Sequence, residues 1–140
     1  MQVFVPYSSP IDVAKCLDRK RLHKQVLECS QILKAIAGTS KAWANHPVVK
    51  MYREHKMWLY YYMNCLACFC YGGPPRYWSD LADKRKPSFL TEEFQVQHRR
   101  RLYTKDPVHY AEWAVYGTSK ENWYFVDGKI VKYENGKKVQ

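Results

Sequence analysis

One carboxylate stands among basic residues in the stretch LDRKRLHKQVLECSQIL, residues 17–33. At helical spacing Arg21, Lys24, Glu28 and Gln31 form one polar stripe, because residues three and four apart share a helix face. Such a stripe attracts anions, yet Glu28 lies in its middle. Two interpretations are open: Glu28 forms an exposed ion pair with Lys24, worth a few tenths of a kcal/mol, or it is a reactive carboxylate in a surface cleft.

The chain is strongly basic, with 23 Lys and Arg against 13 Asp and Glu and a formal charge of +10 over 140 residues. A charge of this size in a small protein indicates a polyanionic partner, most often nucleic acid. Tyrosines and tryptophans, which can stack on bases, alternate with the basic residues. The basic clusters fall at residues 19–24, 84–86, 99–101 and 129–138.

Length and composition predict one compact domain over residues 1–140, because a chain of this size buries roughly two-thirds of its unfolded surface. The sequence contains neither a run of about 18 apolar residues nor a secretory signal, so we expect a soluble intracellular monomer, in cytoplasm or nucleus, without a membrane contact. Its five cysteines indicate reduced thiols. The run at Cys65 to Cys70 lacks the second matched pair of a zinc site, and we expect no metal and no other cofactor.

Hydrophobic periodicity predicts a mainly α fold with a short N-terminal extended segment and a small C-terminal β-hairpin. We expect the first helix over residues 10–37, with Ser9 as its N-cap and Gly38 as its stop. A second long helix, buried at the centre, should run from Pro47 to Gly72.

Shorter segments complete the predicted fold. They are an extended segment at residues 1–7, an irregular connection at 74–88 pinned by Tyr77 and Trp78, a helix at 92–103 capped by Thr91, a further helix beginning at Asp106 and Pro107, and a hairpin that turns at Asp127 and Gly128.

Three stretches carry a resemblance to a known family: the opening MQVFVPY, the row LDRKRLHKQVLE at 17–28 and the NHP block at 45–47. They resemble the pyrimidine-dimer DNA glycosylase family, typified by endonuclease V of the T-even phages. The similarity continues through FQVQHRRRLYTKDPVHY at 94–110. The resemblance implies a small helical enzyme that acts on double-stranded DNA, excises damaged pyrimidines such as ultraviolet dimers, or a modified base, and cleaves the abasic site.

By the same resemblance Glu28 falls on the family's catalytic glutamate, and the nucleophile is the α-amine of the N-terminal residue, which forms an imine with the sugar C1′. An α-amine is less basic than a lysine side chain, so more of it is neutral near pH 7. The glutamate can stabilise a cationic sugar and move protons. One departure is Gln2, whose bulk disfavours removal of Met1. The available α-amine is then that of Met1. A glycosylase that uses Glu28 and water, without a lyase step, is an alternative.

The predicted DNA contacts surround this carboxylate. Arg21 and Lys24, on the two turns before Glu28, are expected to contact phosphates that flank a flipped nucleotide. The other predicted DNA-binding residues are Gln2, Gln31, His46, His98, Arg99, Arg100, Arg101 and Lys105. His46 can equally be a helix cap.

Two alternative functions fit the same sequence. In a non-catalytic nucleic-acid-binding module Glu28 is only a salt-bridge partner. A metal-free nuclease would use His46 or His98 as acid and base.

Overall fold

The computed structural model describes residues 1–72 and 86–139. In these ranges the helices are α1 (Pro10–Cys16), α2 (Arg19–Ala37), α3 (Pro47–Tyr52), α4 (Lys56–Tyr71) and α5 (Glu92–Lys105), and the strands are β1 (Glu121–Val126), β2 (Lys129–Glu134) and β3 (Lys137–Lys138). The fold is mainly α with a small antiparallel sheet, as the sequence predicted. The predicted connection at 74–88, with Tyr77 and Trp78, lies outside the described residues except for positions 86–88.

The single helix predicted for residues 10–37 is wrong, because the chain breaks at Leu17 and Asp18. Leu17 is extended, with φ −67° and ψ 140°. The Asp18 carboxylate then accepts the Arg21 N–H at 3.3 Å and caps α2. Tyr110 donates its hydroxyl to the same carboxylate. A polar cap held from a distant part of the chain therefore starts a new helix, which ends at Gly38 as predicted, with φ 83°.

The second long helix is also divided, by a 3-10 turn at Arg53–His55 between α3 and α4. The turn has a packing consequence: Tyr52 and Trp58 stack with ring centroids 6.2 Å apart. In an unbroken α-helix two residues six apart point about 120° away from each other, so they could not stack in this way. The tighter turn keeps both rings on the buried side.

Thr91 caps α5 as predicted, its hydroxyl accepting the Phe94 N–H at 3.4 Å. The helix predicted to follow Asp106 is wrong, because residues 107–110 form turns and Ala111–Tyr116 is a 3-10 helix. Here Tyr110 and Trp113 stack at 5.1 Å. Residues three apart eclipse one another in a 3-10 helix, which suits this pair.

The predicted C-terminal hairpin is confirmed, and a third strand extends it. Asp127 and Gly128 turn with φ values of 52° and 76°, the pair of positive angles that a two-residue hairpin loop needs. In β1 alternate side chains share a face, so Asn122, Tyr124 and Val126 lie together. No helix of the described residues is long and apolar enough to cross a bilayer.

The N-terminal segment runs through the core without joining a strand, and side chains satisfy its backbone. The Gln25 side chain of α2 accepts the Phe4 N–H at 2.9 Å and donates to the Gln2 carbonyl at 2.8 Å. The Tyr62 hydroxyl of α4 donates to the Phe4 carbonyl. Because residues 2–5 are buried, these bonds replace the partners that a sheet or water would provide.

Helix α5 supplies the remaining anchors of this segment. His98 Nδ1 accepts the Val5 N–H at 2.8 Å, and Arg99 Nε donates to the Pro6 carbonyl at 2.9 Å. The Arg99 guanidinium lies over the Tyr7 ring at 5.0 Å from its centroid. His98 is 1% exposed and Arg99 7%. Both side chains are buried and bonded to the protein's own backbone, so neither is exposed to a phosphate.

The free energy of unfolding should depend on pH because the buried His98 stays neutral in the folded protein. Its burial and the positive charge of Arg101 lower its pKa to about 4, whereas a histidine in an unfolded chain titrates near about 6.5. Between these values the unfolded chain takes up a proton that the folded protein does not. The free energy of unfolding therefore falls as the pH falls, by up to about 3 kcal/mol from this residue.

The matched variant is His98→Asn, which keeps an acceptor for the Val5 N–H but does not titrate. In urea unfolding between pH 7 and pH 4, we expect its stability to depend less steeply on pH than that of the natural protein. Equal slopes would show that His98 is not held neutral.

Candidate active site

A cleft of about 300 Å³ opens beside the N-terminus. Three parts of the chain form it: the N-terminal segment, the first half of α2, and the end of α5 with the start of β1. The lining residues are Met1, Gln2 and Phe4, then Lys20, Arg21, Lys24, Gln25 and Glu28, then Arg101, Lys105 and Asn122. Among these described residues Glu28 is the one acid.

The Glu28 carboxylate is largely enclosed, with its side chain 13% exposed. Gln25 Nε2 donates to Glu28 Oε2 at 3.3 Å. The ion pair with Lys24 that the sequence allowed is present, but its Nζ to Oε1 distance is 4.0 Å and the Lys24 side chain is 65% exposed. A pair of this length on an exposed lysine contributes little. The position of the carboxylate is therefore fixed more by its burial and by the hydrogen bond from Gln25 than by the ion pair with Lys24.

Positive charge is concentrated around this carboxylate. Arg101 Nε donates to Asn122 Oδ1 at 2.9 Å, which fixes the guanidinium against β1. Desolvation, followed by the charges of Arg101, Arg21 and Lys24, lowers the pKa of Lys105. These cations repel one another, and an anion such as a phosphate would relieve that repulsion.

The first residue is held in the cleft by β1, and the residue before α3 lies near its amine. The Tyr124 hydroxyl donates to the Met1 carbonyl oxygen at 2.7 Å, and burial raises the pKa of Tyr124 to about 12, so the hydroxyl stays a donor. The His46 ring meets the Tyr124 ring edge-on at 5.5 Å. Burial, and then the charge of the N-terminal amine, lower the pKa of His46 to about 4. Its neutral Nδ1 accepts the Val48 N–H at 3.1 Å.

The structure brings together some predicted site residues and separates others. Those that line the cleft are Met1, Gln2, Arg21, Lys24, Glu28, Arg101 and Lys105. His46 caps α3 and neighbours the N-terminus without lining the cleft. His98 and Arg99 are buried under the N-terminal segment. Arg100 turns away and donates to the Tyr116 carbonyl at 2.7 Å. Gln31 remains on the α2 stripe beyond the cleft lining.

The sequence did not predict the contacts that Gln25, Asn122 and Tyr124 make at this site. For Gln25 a signal existed, because it lies between Leu22 and Cys29 at helical spacing and is a polar residue in an apolar row. A glutamine in such a row must find buried partners. Asn122 and Tyr124 carry no comparable local signal, since their partners lie far along the chain.

A basic cleft around one enclosed carboxylate has the chemistry that an enzyme of nucleic acids requires. Residues 1–68 match the family model described as pyrimidine dimer DNA glycosylase. The match supports the family that the sequence indicated over these residues, which include Met1, Arg21, Lys24 and Glu28. The match supports glycosylase activity in general and a DNA substrate.

The match ends within α4, so the similarity expected at 94–110 lies beyond it and stays a prediction. Comparison with curated proteins and with solved structures gave no match. The cleft itself is completed by Arg101, Lys105 and Asn122, which all follow the matched residues.

Replacing Gln25 should destabilise the protein strongly. Gln25→Ala leaves the Phe4 N–H and the Gln2 carbonyl buried without their partners, which we expect to cost about 2–4 kcal/mol. Gln31→Ala is the control, because it removes a partly exposed glutamine from the same helix and should cost less than about 0.5 kcal/mol. Chemical denaturation measures both. Similar losses in the two variants would contradict the anchoring role of Gln25.

Proposed function

We propose that the protein is a DNA N-glycosylase whose chemistry takes place in this cleft, with Glu28 as the catalytic carboxylate and the Met1 α-amine as the nucleophile. The observation that carries the proposal is that Met1 and Glu28 line one cationic cleft. Residues 1–68, which supply both groups, match the glycosylase family. The DNA is double-stranded and the excised base is a damaged pyrimidine, such as one member of an ultraviolet dimer, or a modified base.

The reaction begins when the neutral Met1 amine forms a bond to C1′ of the sugar. The bond from C1′ to the base breaks, and the base leaves with the electron pair and gains a proton. Positive charge builds on the sugar during this step, and the enclosed Glu28 carboxylate stabilises it. Opening of the sugar ring gives an imine between Met1 and C1′.

An abasic-site lyase step follows from the imine. Glu28 takes a proton from C2′, the bond from C3′ to its phosphate oxygen breaks, and the phosphate leaves with the electron pair. Water then hydrolyses the imine, which frees the amine and leaves a sugar aldehyde. If water rather than Met1 attacks C1′, the base is released and the strand remains intact.

The cations of the cleft bind the phosphates of the DNA. Arg21, Lys24, Arg101 and Lys105 surround the carboxylate, so they can hold the phosphates on either side of an extruded nucleotide. Gln2 lines the same cleft and is 5% exposed. We assign it to the wall against which the nucleotide packs.

The arrangement gives less support to a metal-free nuclease. Such an enzyme would need His46 or His98 at the scissile phosphate. His98 is 1% exposed, and His46 uses Nδ1 to cap α3. The binding module without catalysis remains the alternative that experiment must separate from the glycosylase.

Glu28→Gln separates catalysis from binding. On ultraviolet-irradiated duplex DNA under single-turnover conditions, we expect this variant to form alkali-sensitive strand breaks at least about 100-fold more slowly. Its affinity for the duplex should be retained or improved, since a negative charge is lost. Glu93→Gln, an exposed carboxylate in the first turn of α5, is the control and should behave like the natural protein. A Glu28→Gln variant of full activity would refute the catalytic role.

Borohydride trapping tests the Met1 amine. Reduction of the imine should link the natural protein covalently to irradiated DNA, after intact mass has established that the chain begins at Met1. A version extended by two residues ahead of Met1 carries its amine elsewhere and should give no adduct. If the natural protein forms alkali-sensitive sites without an adduct, water is the nucleophile. An adduct of equal yield in both would exclude Met1.

A further inference from the structure

A second concavity, of about 380 Å³, lies along β2 and the turn between β1 and β2. We call it the hairpin pocket; its lining residues are Asn45, Pro47, Lys50, Val126, Asp127, Lys129, Val131, Tyr133 and Lys138. In the β1–β2 register Asn122 lies opposite Tyr133, and Val126 lies opposite Lys129. Opposed and alternate residues share a face. Asn122 lines the cleft and Val126 lines the hairpin pocket, so one face carries both.

Tyr124 connects the strand to the first residue of the chain. It stands between Asn122 and Val126 on this face, and its hydroxyl is bonded to the Met1 carbonyl. Its ring meets those of His46 and Tyr133 edge-on, at 5.5 and 5.6 Å. The first residue of the chain, which lines the cleft, is therefore bonded to the strand that also lines the hairpin pocket.

The hairpin pocket is positively charged. Lys50, Lys129 and Lys138 are exposed on its lining, against one acid, Asp127. Among the described residues none of these lysines takes part in an ion pair. Three ammonium groups and one carboxylate leave a net positive charge around a concave surface, which favours an anion with several charges. Tyr133 adds an aromatic ring that can pack against a sugar or a base.

We propose that the hairpin pocket is a second phosphate-binding site, which holds the DNA backbone beyond the cleft. The proposal rests on the function proposed above. A strand that places a nucleotide beside Met1 and Glu28 must continue past Met1, and each further nucleotide brings another negative charge. The hairpin pocket offers three cations, one from α3 and two from the sheet face that the cleft also uses. Two of them, Lys129 and Lys138, come from the sheet, outside the family-matched residues.

The test compares two triple variants of equal charge. One replaces the pocket lysines (Lys50→Gln, Lys129→Gln, Lys138→Gln). The control replaces three exposed lysines that line neither concavity (Lys15→Gln, Lys34→Gln, Lys56→Gln). Affinity for duplex DNA is measured by fluorescence anisotropy at several salt concentrations, and thermal unfolding checks that both variants are folded.

In the pocket variant we expect the slope of log affinity against log salt to become shallower by about 3, close to 0.9 for each lost phosphate contact. The affinity itself should fall at least about tenfold at moderate salt, and the control should change its slope by less than about 1. Equal changes in the two variants, or an unchanged slope in the pocket variant, would overturn the proposal.

A second readout keeps this proposal distinct from the glycosylase proposal. Alkali-sensitive breaks in irradiated DNA are measured for the natural protein at saturating concentration. If breaks form and the salt slope of the pocket variant is unchanged, only the hairpin pocket is refuted. If no breaks form and the pocket variant still loses slope, the phosphate site stands and the glycosylase function fails.

Discussion

The backbone of the first six residues depends on hydrogen bonds to buried side chains. Three helices provide them: Gln25 from α2, Tyr62 from α4, and His98 with Arg99 from α5. A buried extended segment without such partners would leave several amide and carbonyl groups unsatisfied, each at a cost of about 1–3 kcal/mol. Packing of the helices thus fixes where the segment lies, and the segment fixes where the chain's first residue opens onto the cleft.

Gln25 connects this scaffold to the carboxylate. Its amide bonds the Gln2 carbonyl and the Phe4 N–H, and the same Nε2 reaches Glu28 at 3.3 Å. The position of the N-terminus and that of the carboxylate are therefore set by one side chain with little freedom of its own. For the proposed reaction this fixed relation would reduce the reorganisation that the two groups need in the transition state.

The cleft is assembled from two parts of the chain. The N-terminal segment and α2 supply the carboxylate, the amine and three of the cations, whereas α5 and β1 close the cleft with Arg101, Lys105 and Asn122. Desolvation, and then the charges of Arg101, Arg21 and Lys24, lower the pKa of Lys105. The sheet contributes further through Tyr124, whose hydroxyl holds the Met1 carbonyl. Residues outside the family-matched range thus shape the site.

The sequence by itself determined the helical class, the hairpin at Asp127 and Gly128, and the cationic stripe around Glu28, because periodicity, turn chemistry and charge act between near neighbours. Only the tertiary structure decided the helix breaks at Asp18 and Arg53, which depend on distant partners such as Tyr110 or on ring stacking. It also decided that His98 anchors Val5, 93 residues away along the chain, rather than a phosphate. A basic or polar side chain looks the same in sequence whether its partner is DNA or the protein's own backbone, and only packing distinguishes the two.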